Sequence, residues 1–129
     1  MCRRLRETRG ASAVEFALLL PLLVALVLGT IEFGHAFQVQ STLSAAAREG
    51  ARTMALQNDP AAARTAVQGA ASVLTPAVAD AQVTVVPVAC PATGGGTVTV
   101  TVRYPMPLLT GLFGTGLTLT GTGVMRCNG

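Results

Sequence analysis

The residue with the most telling chemistry is Glu15, a carboxylate at the head of a sixteen-residue uncharged run, FALLLPLLVALVLGTI from Phe16 to Ile31. A charge buried without a partner costs several kcal/mol, so an acid at the edge of a lipid-compatible segment calls for a partner or a function. No basic residue stands three or four positions ahead of it, and Arg9 lies six behind, outside the reach of a helical neighbour pair. Cutting the chain between Gly10 and Ala11 would create a partner, because a new α-amino group titrates near pH ~8 and is a cation at neutral pH. Helices assembling side by side could then offer that amine to the Glu15 of a neighbour. The plainer alternative is an interfacial acid that meets lipid headgroups and does nothing else.

Other reactive side chains are isolated. His35 has no cysteine or second histidine beside it, which argues against a metal site or a histidine-based triad. Ser12, Ser41, Ser44 and Ser72 lack a positioned base. The triple glycine Gly94 to Gly96 has neither the following lysine nor the strand-to-helix setting of a phosphate loop, and reads as a flexible hairpin tip. The expectation is a non-enzyme with no cofactor and no metal.

The element that must carry Glu15 is a membrane helix. Sixteen residues at 1.5 Å each cover roughly 24 Å, and adding Ala13, Val14 and Phe33 approaches the roughly 30 Å of a hydrocarbon core. Glu15 and Glu32 then fall near its two boundaries. The formal charge of +3 resides in the first ten residues, where Arg3, Arg4, Arg6 and Arg9 face only Glu7; the remaining charges balance. No basic stripe tracks phosphates, so nucleic acid is not an expected partner. The arginine cluster keeps residues 1–10 in the cytoplasm by the positive-inside rule, and everything after about Gly34 is exported. Pro21 removes one helical hydrogen bond, which membrane helices tolerate. A removed signal peptide is the competing reading, with GHA (Gly34 to Ala36) as its downstream cut; the length of the apolar run and its helical continuation favour a retained anchor.

At this point the residues carry a family resemblance. Arg9-Gly10, a cut before Ala11, a glutamate five residues into the product and an unbroken apolar helix look like the processing signal of type IV pilins and pseudopilins. More narrowly, RGASAVEFALLLPLLVALVLGTIEFGHAF with QSTLSAAAREGAR, residues 9–52, resembles the TadE-like proteins of the tight-adherence (Flp-type) pilus system. The VTVTVRYPMPLL and LTLTGTGVMR segments resemble the same family's exported part. The resemblance implies that Gly10 precedes a prepilin-peptidase cut, that Ala11 is the mature N-terminus, and that Glu15 sets subunit registry. It implies a bacterial cytoplasmic-membrane protein, single-pass, N-terminus inside, whose partners are the lipid bilayer, the peptidase, other pilin or pseudopilin subunits and the assembly machinery. Ala11 stands where many type IV pilins carry an aromatic, and Phe16 where major Flp pilins often carry Tyr. The greater length fits a minor subunit.

The expected fold is α+β: a long pilin-like transmembrane helix, a short second helix and a small antiparallel sheet of about three strands. The parts are a basic leader (1–10), the membrane helix (11–34), its continuation (35–57) and an exported helix-plus-sheet region (58–129). Phe33, Phe37, Leu43, Ala46, Ala47, Ala51 and Met54 continue an apolar helical face. Asn58-Asp59-Pro60 reads as a stop and a fresh cap for a second helix ending near Val73. Period-two alternation then predicts strands over Gln82–Ala89, Thr97–Tyr104 and Leu117–Arg126, with Tyr104 to Pro107 as extended connector. Gly121 and Gly123 suggest a bulge or a close approach. Loop 105–114 is apolar for a connector and either covers the sheet or contacts another subunit.

Cys2 falls in the leader. Cys90 and Cys127 end the first and third strands, and an oxidising compartment favours a bond between them over two free thiols. Strands one and three of a simple meander are nearly ~10 Å apart, too wide for a disulfide. Either these strands are neighbours, or both cysteines curl over the end of the sheet. The leading function is a membrane-anchored minor pilin or pseudopilin processed by a prepilin peptidase. The alternatives are a single-pass adaptor of the pilus machine that is not incorporated, and a secreted small binding protein with a cleaved signal peptide.

Overall fold

The computed structural model describes residues 2–112 and 114–128, with side chains from Thr8 onward. The readings that rest on the side chains of Cys2, Arg3, Arg4, Arg6 and Glu7, and on Phe113, lie outside the described residues. The fold is α+β. Helix α1 (Cys2–Gln57) and α2 (Pro60–Ala70) precede a 3-10 turn (Asp80–Gln82) and strands β1 (Val83–Val86), β2 (Thr97–Met106) and β3 (Leu117–Arg126). The chain divides into two compact units, Met1–Gly34 and His35–Gly129.

In the first unit, α1 runs unbroken through Pro21 and presents its apolar residues outward, with Leu18 73%, Leu22 66% and Leu26 64% exposed. Such a surface is intolerable in water and natural in lipid or against other apolar helices. The helix is long and apolar enough to cross a membrane, with a mean hydropathy of 2.4 over its best window and none of that window buried. These features support membrane anchoring.

In the second unit the inward positions of α1 are Val39, Leu43, Ala46, Ala47, Ala51, Met54 and Ala55, the spacing of one helical face. Phe33 and Phe37 were expected on that face; they are 77% and 70% exposed. The reason is phase, because the core face passes through Ala36 and Val39, and Phe37 falls one residue off it.

The helix stops at Asn58, which adopts φ 52°, a left-handed conformation asparagine accepts more readily than most residues. Asp59 caps α2, its carboxylate accepting from the Ala61 N–H at 2.9 Å, with Pro60 in the first turn. This helix ends at Ala70 instead of Val73. Past it, the Ser72 N–H turns to the Gly69 carbonyl at 3.4 Å in a tighter, three-residue closure.

The sheet is an antiparallel meander in the order β1-β2-β3. Val98, Val100, Val102, Tyr104 and Met106 of β2 point inward and are essentially inaccessible, as alternation demands. Two strand limits differ from expectation. β1 stops at Val86, before Pro87, which has no N–H to give a ladder. β2 continues through Pro105 to Met106, because pairing with β1 ends at Val102; past it, β2 has an edge where a missing N–H is tolerated. The Tyr104 hydroxyl donates to the Pro76 carbonyl at 2.7 Å, and burial holds its pKa above the ordinary tyrosine value.

Gly121 and Gly123 mark a close approach, not a bulge. They pair opposite Val102 and Val100, and their missing side chains leave a shallow channel on the inner face of β3 in which α1 lies. A Cβ at Gly121 would stand 2.5 Å from the carbonyl carbon and oxygen of Leu43, and one at Gly123 would overlap the Ala47 carbonyl. From the helix side, Gly50 fits against Val67 of α2 and Val100 of β2 in the same way. Small residues on both partners therefore stand in for the bulky aromatics that are scarce in this chain, giving dispersion contact through proximity instead of side-chain volume.

Candidate functional site

The candidate processing and assembly segment is residues 8–15, all within α1. Helix begins at Cys2, so the Gly10–Ala11 bond lies in helical backbone. Glycine inside a helix costs about 1 kcal/mol relative to alanine, which makes this the most easily opened point of the local turn. Nothing lies within 4 Å of where a Gly10 side chain would be, and Gly10, Ala11 and Glu15 are all exposed. Ser12 folds its hydroxyl back onto the Thr8 carbonyl at 3.1 Å. Ala11 and Glu15 are four residues apart, so they share one helix face and differ in height by about 6 Å. Among the described residues no hydrogen bond or ion pair reaches the Glu15 carboxylate. Glu32 differs: the sequence places both acids at membrane boundaries, yet Glu32 is only 5% exposed.

A second cluster lies within the His35–Gly129 unit. Cys90 and Cys127 are bonded, with Cα atoms 5.6 Å apart and a sulfur–sulfur distance of 2.00 Å. Of the two routes open from sequence, the structure takes the curl over the sheet end. β1 is not adjacent to β3; instead the chain leaves β1 at Val86 and carries Cys90 across the start of β2 to meet Cys127. Two asparagines hold this closure, Asn128, which sequence reasoning passed over, and Asn58, which it read only as part of a helix stop. Asn58 accepts from the Cys90 N–H at 2.6 Å. Asn128, at φ 57°, donates its side-chain amide to the Pro91 carbonyl at 3.1 Å and its N–H to the Ala55 carbonyl at 3.4 Å. The signal was present in Asn58, but as a helix stop only; its second bond depends on a residue 32 positions away. A loop of this span, 37 residues, is one whose closure stabilises a small domain by about 3–4 kcal/mol in the chain-entropy account.

His35 is half-buried and lines a cavity of about 260 Å³ with Val39, Leu74, Tyr104, Met106 and Pro107 among its neighbours.

A lipid-compatible helix leading into a disulfide-closed α+β unit defines the class: a membrane-anchored protein with a small second unit. Residues 10–52 match the family model for TadE-like protein. The matched stretch contains Gly10, Ala11 and Glu15 and coincides with the resemblance read from residues 9–52. Together with the apolar helix, it fits a membrane-anchored component of the tight-adherence pilus system. Searches of curated proteins and of solved structures each found no match.

Proposed function

We propose that this chain is a non-enzymatic minor pilin or pseudopilin of a tight-adherence pilus, cut by a prepilin peptidase between Gly10 and Ala11 and assembled by lateral packing of α1. The observation that carries the reading is an exposed apolar helix with an exposed acid one turn past an exposed glycine, inside the stretch that matches the TadE-like family. Removal of the leader exposes the Ala11 amine. A neighbouring helix shifted along the axis by about one turn, ~6 Å, brings its amine level with Glu15, and the apolar surroundings strengthen their attraction. The pair thus rewards one axial offset among the many that a uniformly greasy helix would accept. In this reading the His35–Gly129 unit is exported, and its disulfide forms there.

The intact mass of the chain recovered from native membranes and sheared filaments tests the reading. We expect a chain beginning at Ala11 in both fractions. An intact leader confined to membranes would indicate the unincorporated adaptor, and a chain beginning near Phe37 a secreted protein.

A further inference from the structure

We infer that the cleft beside the glycine loop, where β2 begins and β3 ends, is a subsite for an acidic sugar, the carboxylate-bearing residue of a uronate polysaccharide. The site lies entirely within the His35–Gly129 unit, so it stands or falls independently of the pilin reading.

The cleft has a volume of about 530 Å³ and is lined by Gly95, Gly96, Thr97, Arg126, Cys127 and Asn128. Strand pairing puts these residues together: Thr97 opens β2 directly opposite Arg126, the last residue of β3. One residue further out, the Cys127 N–H donates to the Gly96 carbonyl at 3.1 Å and pins the glycine loop to the end of β3. Gly94, Gly95 and Gly96 hold φ of 73°, 84° and 92°, a conformation that residues with a side chain rarely adopt. The loop is thereby kept bare, and among the described residues the N–H groups of Gly95 and Gly96 meet no acceptor.

The charge in the cleft has one sign. Arg126 is exposed and pairs with no acid among the described residues, and no acid lines the cleft. A guanidinium takes both oxygens of a carboxylate in one plane, and free backbone N–H groups add to the same attraction. The other lining groups decide what carries that carboxylate. The Thr97 hydroxyl donates and accepts, and Asn128, whose amide nitrogen donates to the Pro91 carbonyl at 3.1 Å, keeps its side-chain oxygen as an acceptor. Both suit a ligand rich in hydroxyls. No aliphatic or aromatic side chain lines the cleft, so a fatty or aromatic acid gains nothing there.

The surface beyond the cleft continues the same chemistry. Alternation turns Thr99, Thr101 and Arg103 of β2 away from the buried valines, next to Thr120 and Thr122 of β3. The helix segment around Leu43 and Ala47 packs on the opposite face of the sheet, at Gly121 and Gly123. Arg103 is exposed and lies about 20 Å along β2 from Thr97. A polymer with a carboxylate on every residue thus meets hydroxyls along the strands and a second guanidinium at the far end.

Ligand-observed NMR on the full chain in detergent micelles at low salt tests the site, with D-glucuronate, glucose, sulfate and a galacturonate hexasaccharide as probes. Glucuronate should bind with a Kd of about 1–10 mM, as befits one ion pair and a few hydrogen bonds, and glucose should not bind. Arg126→Gln should weaken glucuronate binding by about fivefold or more. Arg126→Lys keeps the charge but loses the planar fork, and should fall between. Arg52→Gln, an exposed arginine on α1, should leave binding unchanged. The hexasaccharide should bind about tenfold tighter than glucuronate and lose that gain in Arg103→Gln. Absence of glucuronate binding, or equal losses in Arg126→Gln and Arg52→Gln, overturns the site. Sulfate binding as tightly as glucuronate would leave a general anion cleft and overturn the assignment to sugar acids. A hexasaccharide advantage that survives Arg103→Gln overturns the part given to the threonine face.

Discussion

Gly123→Val should leave the His35–Gly129 unit unable to fold. At that position a Cβ would meet the carbonyl of Ala47 and come within 2.5 Å of the Arg48 nitrogen. These are helix backbone atoms, which cannot swing aside as the end of a flexible side chain can. Overpacking of a yielding core costs about 1–3 kcal/mol, and a clash with rigid backbone belongs at or above the upper end. A small unit has little margin against that. Separating β3 from α1 would also open the contact of Gly121 with Leu43 and the bond from Gln40 to Thr120. Gly69→Ala is the matched control. Nothing lies within 4 Å of its added methyl, and alanine in a helix gains about 0.5–1 kcal/mol over glycine. Urea unfolding in detergent, followed by protease resistance of the unit, should therefore move in opposite directions for the two variants. Equal stability of Gly123→Val and the parent chain would show that the helix does not seat on β3 as described.

The second large effect belongs to Glu15. Glu15→Ala should leave cleavage at Gly10 intact, because the peptidase acts on the bond five residues away, but should strip the chain from filaments. Removing one member of a buried ion pair costs about 3–5 kcal/mol, equivalent to a hundredfold or more in an association equilibrium. Glu15→Gln keeps the carbonyl acceptor and loses the charge, so it should fall between Ala and the parent. The ratio of filament to membrane chain, read by immunoblot of sheared cells, gives the order Glu, Gln, Ala. Identical ratios for all three would reduce Glu15 to an acid that meets headgroups.

Much of the architecture was legible because it is local. The uncharged run, the Asn58-Asp59-Pro60 break and the alternation of Val98, Val100 and Val102 each follow from residues within a few positions of one another. The errors arose where a distant partner decides. Phe33 and Phe37 were placed on the core face by their apolar character, yet the face is fixed by where β3 can approach, and that depends on glycines almost ninety residues on. Pro105 reads as a strand terminator, but β1 is short and leaves it an edge to occupy. The cysteine pairing could be read from compartment while its path could not, since that path needs Asn58 to seize the Cys90 backbone. The family match over residues 10–52 was legible in the stretch 9–52, whose motif residues Gly10, Ala11 and Glu15 lie within six consecutive positions. In the proposed reading Glu15 has a lateral partner on another molecule, on which one chain's sequence is silent.

That partner can be asked for directly. A photocrosslinking amino acid in place of Leu18, three residues from Glu15 on the same face of α1, would label whatever lies against the acid in piliated cells. The account predicts a crosslinked peptide whose other half begins at the processed N-terminus of a neighbouring subunit, Ala11-Ser12 if that neighbour is a second copy. Labelling of lipid alone, or of a subunit far from its N-terminus, would contradict it.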